Sequence, residues 1–338
     1  LFHKALWYQN YKQTRMVVWI LLVLYIVHLP FQTLLTIESW RKQLEELSLY
    51  PDWSLEILPF EILGIFSRGI LPFILMFTII LFACMLIGSE RNTRRMDFTF
   101  SLPFSRKDLF LAKLLYGGAM IIVFHTSNFL IAYWILKQSE FSYVLDLVKI
   151  IQIYYGPLLG LLLIFSFAMF IGTISGEMIS QIAMTVIFGV FPPGFGLLLV
   201  YFFEINFHYY FIENFYPTWI ENFTILFYTF NHPESVVQLL YPVIGTAVFT
   251  ALGIVLYERN NIEHNGEFLI FKVLHPIFLI GMTFCFSLLG GMIFTSLTPW
   301  NVQSLEIVTY WVGAGVFFLF SYLITKRVLR MNLLVKNK

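Results

Sequence analysis

Long apolar runs separated by short polar stretches organise this chain from end to end. Eight runs approach the roughly 20 residues that a helix needs to cross a hydrocarbon core. They cover about Met16–Thr36, Gly69–Gly88, Leu114–Leu136, Ile150–Ile174, Gln181–Phe203, Val236–Tyr257, Val273–Leu297 and Ile307–Thr325, and each tolerates only an occasional polar residue. In lipid, a backbone satisfies its polar groups within the segment, so these runs predict helices and not strands. The first run is longer than a signal peptide and has no small-residue cleavage site after it, so it reads as a span. The pattern predicts an all-α integral membrane protein with about eight transmembrane helices. The spans fill 16–325, between an arm at 1–15 and a tail at 326–338.

Composition agrees with a lipid solvent. Hydrophobic residues make up 59% and charged residues 12% of the 338, against about 25% charged in soluble domains. A net charge of +1 gives no reason to expect nucleic acid. The placement of the charges says more than their sum. Eight spans put both termini on one side. The segments on that side are the arm, Ser89–Lys113, a turn near Glu177, Glu258–Lys272 and the tail from Lys326, and they hold 16 of the 21 Lys and Arg residues. The other five are Arg41, Lys42, Arg68, Lys137 and Lys149. The positive-inside rule then predicts a multi-pass protein of the cell membrane with both termini cytoplasmic.

Two segments on the opposite side are longer than turns. Glu38–Phe60 is expected to begin with an amphipathic helix, Glu38–Leu49, before Pro51 and Pro59 break the chain. Glu204–Glu234 carries 11 aromatic residues among 31, with Tyr209, Tyr210, Phe211, Phe215, Tyr216 and Trp219 close together. Aromatic rings favour the membrane–water interface. This segment reads either as an interfacial belt or as a lid over the exit of a path.

The most informative polar segment is Ser89–Lys113, SERNTRRMDFTFSLPFSRKDLFLAK. Arg91, Arg94 and Arg95 open it. Met96, Phe98, Phe100 and Leu102 then alternate with smaller or polar residues, and Pro103 forces a break. Ser105 is a good N-cap for a helix starting Arg106-Lys107-Asp108, with Asp108 in the first turn, where the helix dipole favours an acid. An apolar and basic surface of this kind suits docking into a groove on a soluble partner. A positive anchor without a partner would explain the basic residues but needs neither the proline corner nor the cap.

Glu90-Arg91, the run Leu102-Pro103-Phe104-Ser105-Arg106-Lys107-Asp108 and Leu111-Ala112-Lys113 together resemble the cytoplasmic loop of ABC-2 type permeases. A later stretch, Tyr257-Glu258-Arg259 followed by Glu263, Gly266-Glu267-Phe268 and Phe271-Lys272, resembles a loop of permeases linked with acetoin utilisation in bacilli. The resemblance implies a type V exporter-like core plus two C-terminal spans, since the family core has six. It also implies a coupling helix that seats on a separate ABC ATPase, with Arg94, Arg95, Phe98, Leu102, Pro103, Phe104, Ser105, Arg106 and Lys107 at the contact. Two ATPase copies would bind ATP and Mg, this chain would bind no cofactor, and a second permease, identical or related, would complete the path.

Other chemistry is sparse. The sequence holds no G-x-x-x-x-G-K-[ST] phosphate loop and no H-E-x-x-H zinc motif. Cys84 and Cys285 lie in apolar runs without metal-ligand spacing, so no metal site is expected. No span carries two acids on one face, which argues against a membrane-embedded enzyme or an ion-coupled carrier, the two alternatives to a permease. His125 and Asn128, three apart in the third run, share a helix face. They either touch cargo or bond another helix. Pro192-Pro193-Gly194 interrupts the fifth run, and two prolines there require a kink or break. Such a break acts as a path-lining hinge in some transporters and is a tolerated kink elsewhere.

Overall fold

In a computed structural model, residues 4–49, 55–67, 69–93, 95–208, 220, 223–230, 233–260, 262–299 and 303–331 are described. Among them the secondary structure is helical apart from an isolated antiparallel bridge between Ser175 and Leu269. Seven helices are long and apolar enough to cross a membrane, and a bent pair makes an eighth if it counts as one span. The all-α membrane fold expected from the apolar runs is therefore the fold observed. The chain divides into two compact units. One comprises Leu1–Ile87, Phe100–Ile171 and Ile225–Arg259, and the other Gly88–Thr99, Gly172–Thr224 and Asn260–Lys338.

The first unit opens with α1, Lys4–Leu47. Its first half buries Leu6, Asn10, Thr14, Val18, Leu21 and Tyr25 at helical spacing. Met16, Trp19, Ile20 and Val23 on the other side are exposed, as lipid contacts require. Pro30 does not end the helix. The chain widens into a π turn over Val27–Phe31, a register in which the missing proline N–H leaves the helix continuous. The amphipathic stretch from Glu38 is thus the end of α1 and not a separate element. It is held by Trp40, whose Nε1 donates to Glu61 Oε2 at 3.0 Å. Glu61 belongs to the short helix α2, Pro59–Phe66. Then come α3, Ile70–Asn92, and, after the short helix α4, Arg95–Ser101, the long helix α5, Arg106–Gln138. Helix α6, Ile151–Ile174, starts with a π turn over Ile151–Tyr155. Helix α9, Val236–Glu258, closes the unit. Leu75, Ile79, Phe82, Ala83 and Leu86 of α3 and Leu161, Ile164, Phe165 and Ala168 of α6 supply much of its core.

In the second unit, α7, Met178–Gly189, and α8, Phe191–Phe207, form the bent pair, with 56° between them. The break falls at Val190, so Pro192 and Pro193 occupy the first turn of α8, where a helix does not need their N–H groups. Helices α10, Leu274–Ser296, and α11, Gln303–Val328, form a tight pair. A Cβ on Gly313 would collide with the Gly290 carbonyl oxygen, and one on Gly291 would lie 2.5 Å from the Tyr310 ring. Small residues that let backbones approach drive such pairing in lipid, where apolar burial gives no preference for helix over lipid tail. Helix α8 packs on this pair through Phe202 against Tyr310, ring centroids 5.9 Å apart, and Asn206 Oδ1 accepts from Trp311 Nε1 at 2.8 Å.

Candidate coupling corner and polar patch

The corner before α5 is built by local chemistry. Ser105 has extended backbone (φ −66°, ψ 148°), and its Oγ accepts the Asp108 N–H at 3.1 Å. That hydroxyl also donates to Asp108 Oδ2 at 2.5 Å, so cap and first-turn acid hold each other. Leu102 and Phe104 are half-buried, while Pro103, Ser105 and Lys107 are exposed.

Arg106 does not point away from the protein. Its Nη1 donates to the Glu258 carbonyl oxygen at 3.1 Å, and its guanidinium lies 4.5 Å from the centroid of the Phe100 ring. Phe100 in turn meets Tyr257 edge-on, with centroids 5.5 Å apart and planes at 90°. Tyr257 is fully buried and also packs on Phe110 at 5.3 Å. A Cβ on Gly253 would come within 2.6 Å of the Phe110 ring, so α5 and α9 are close here. Lys113 also turns inward, its Nζ donating to the Leu86 carbonyl at 2.6 Å.

On the second-unit side of the segment, Arg91 is fully buried and Met96 is buried, whereas Phe98 is 66% exposed. The alternation seen in the sequence thus resolves on a helix. Met96 and Phe100, four apart, share one face, and Phe98 faces away. Arg94 lies outside the described residues, as does the side chain of Arg95. Asn92 caps α7, its Oδ1 accepting the Met178 N–H at 3.1 Å.

Sequence reasoning named a turn near Glu177 and the loop Glu258–Lys272 but not the pairing between them. Ser175 bridges Leu269, Gly266 N–H donates to the Gly176 carbonyl at 2.8 Å, and Ile270 N–H donates to the Ile174 carbonyl at 2.9 Å. Gly266 needs its positive φ of 94° for this. A Cβ on Gly176 would meet the Glu267 carbonyl, so both glycines are required by the pairing. Glu177, at the N-cap of α7, is 4% exposed. Burial raises its pKa above the ordinary carboxylate range. The available signal was the glycine in each partner segment.

His125 and Asn128 are both buried in the first unit. The His125 ring packs against Tyr25 and Tyr154, with centroids 5.8 and 5.6 Å away, and Asn128 Nδ2 donates to the Phe124 carbonyl of its own helix at 2.8 Å. Thr126 and Tyr154 share a hydroxyl hydrogen bond at 2.9 Å, and His28 Nε2 lies 3.2 Å from the Phe66 carbonyl oxygen. The patch therefore joins α1, α2, α5 and α6. At the bent pair, Gly194 has open space where a Cβ would stand. The aromatic cluster from Tyr209 to Trp219 lies outside the described residues. Among the described residues no group of three or more His, Cys, Asp or Glu is arranged to hold a metal ion.

Comparison with known proteins adds to this geometry. The profile of a family described as ABC-2 family transporter protein matches residues 8–262. The chain is similar to the probable ABC transporter permease YtrD of Bacillus subtilis (strain 168), 26% identical over 247 residues, covering 70% of this chain and 72% of the relative. It is also similar to the probable ABC transporter permease YtrC of the same organism, 24% identical over 298 residues, covering 83% of this chain and 86% of the relative. No solved structure gives a significant match.

Proposed function

Because the chain belongs to the ABC-2 family of transporter proteins, we propose that it is the membrane-spanning permease subunit of an ABC transporter and that its segment 89–113 seats on a separate ATPase polypeptide. The observation that carries this reading is the capped corner at Leu102–Lys107. It presents Pro103 and Lys107 to solvent beside the half-buried Phe104, held in one geometry by the Ser105–Asp108 pair. A rigid corner with an apolar edge and a cation fits a groove in a soluble protein, because little ordering is left to oppose binding. The names of the two bacillus relatives support the permease role.

In this reading ATP and Mg are bound by two copies of the partner ATPase and not by this chain. A second permease, identical or related, supplies the other half of the path. The complex sits in the cell membrane with both termini of this chain in the cytoplasm. The cargo is amphipathic or largely apolar, because an uncompensated charge at the bilayer centre costs about 3 kcal/mol. In the first unit the His125 ring packs between Tyr25 and Tyr154, and Asn128 bonds a carbonyl of its own helix, so this patch offers no charge to compensate an ionic cargo.

The test is co-purification with the ATPase in mild detergent. Phe104→Asp combined with Lys107→Glu is expected to lower recovered ATPase more than tenfold while the permease stays monodisperse, since losing an anchor at a small interface costs about 2 kcal/mol. Undiminished recovery with both substitutions overturns the docking role of the corner, and a native chain that recovers no ATPase overturns the subunit assignment.

A further inference from the structure

We infer that Arg106 is a transmission residue and not a docking residue: with Phe100 and Tyr257 it ties the coupling corner to the end of α9, so that motion imposed on the corner by the partner ATPase moves α9. The inference rests on the permease reading above. It begins from where the guanidinium goes. A docking arginine would present its planar donor fork to the partner. Here one donor is bonded to the Glu258 carbonyl at 3.1 Å, and the charge lies over the Phe100 ring at 4.5 Å.

Glu258 is the last residue of α9. The carbonyls of a helix's last turn have no partner within the helix and carry the negative end of its dipole, so a cation there satisfies both. The ring under the guanidinium adds an attraction of its own. Phe100 and Arg106 flank Pro103, so both ends of the corner reach the same place on α9. Below them the fully buried Tyr257 contacts Phe100 and Phe110, and Gly253 allows Phe110 to lie against the α9 backbone. Ring edges and backbone in contact leave no slack. A shift of the corner is therefore passed to α9 or breaks the Arg106 contacts.

The experiment uses the full chain in complex with its ATPase, with Cys84 and Cys285 replaced by serine and spin labels placed on cysteines at Ile70 and Val237. Both positions are exposed, at the starts of α3 and α9. The native pair is expected to change its distance when the ATPase is trapped with Mg, ATP and vanadate. Arg106→Gln should keep ATPase recovery within twofold of native and lose that change. Arg106→Lys, which keeps a donor for the carbonyl and a charge over the ring, should restore it. Phe100→Leu is the second variant and should behave as Arg106→Gln does. If Arg106→Gln loses the ATPase more than tenfold, Arg106 is a docking residue and the inference falls while the permease reading stands. If both variants bind the ATPase and keep the native distance change, or if the native complex shows none, transmission through this contact is overturned. A native chain that recovers no ATPase overturns both.

Discussion

At Glu177 a carboxylate is buried at the start of a helix whose dipole should welcome it, yet the cap is made by another residue. Asn92 bonds the first N–H of α7, and Glu177 makes no side-chain cap. Its Oε2 has no hydrogen-bond partner among the described residues, and burial holds its pKa high. The sign of the consequence follows from linkage. Between the ordinary carboxylate pKa and the raised one, the folded chain keeps a proton that the unfolded chain has lost. Stability therefore falls as pH rises through that window and stays lower above it. Glu177→Gln keeps the shape and removes the charge. It is expected to raise the melting temperature in detergent at about pH 8 and to leave it little changed at about pH 5. Equal shifts at both pH values would mean that the carboxylate is not the source. Residue-scale roles of this kind were only partly legible beforehand. The Ser105 cap was readable because its signal is local. The inward turn of Arg106 was not, because its partner at Glu258 is 152 positions away in sequence.

The apolar runs gave the ends of α9 and α10 to within a residue. Helices α1 and α5 run well past theirs, Lys4–Leu47 against Met16–Thr36 and Arg106–Gln138 against Leu114–Leu136, because a helix continues into polar sequence where nothing breaks it. Proline was less predictable. Pro192 and Pro193 did break a helix, and the break left them in a first turn, but Pro30 was absorbed by a π turn inside α1. Whether a proline ends a helix depends on what the neighbouring chain will tolerate, and sequence does not carry that. The α10–α11 pair shows the same limit. Its glycines were visible, but their mutual approach was not. Gly313 and Gly315 make a direct test, as they lie two apart on one helix. A Cβ at Gly313 collides with the Gly290 carbonyl, whereas at Gly315 nothing lies within 4 Å. Gly313→Ala is expected to destabilise the pair by about 1–3 kcal/mol, the usual cost of overpacking, and to lower the melting temperature. Gly315→Ala should leave it unchanged or slightly raised. Equal melting of the two variants would show that α10 and α11 do not approach as described.

For the whole molecule, the family and the helical membrane fold were legible from hydropathy and from one polar segment. The division into two units was not, because each unit gathers three separate stretches of chain. Orientation is tested through the biased basic residues. With Cys84 and Cys285 replaced, a cysteine at Leu49 should react in intact cells with an impermeant thiol reagent, and one at Thr93 should react only after lysis. Both positions are exposed, and Thr93 leaves the Asn92 cap intact. The reverse pattern would invert the topology. Helix α5 carries a further consequence. It runs 33 residues without a break, about 50 Å, from the Ser105 cap to Gln138. A rod of that length is a lever: with the fulcrum at one end, a tilt of about 5° displaces the other by about 4 Å. Just beyond the far end, Glu140 holds Arg41 of α1 at 2.9 Å, and both side chains are about half exposed. A swing of that size would pull the ion pair apart. An exposed pair of this kind would resist such a swing only weakly, and ions in the surrounding water, which screen exposed charges over about 10 Å at 0.1 M, would weaken that resistance further.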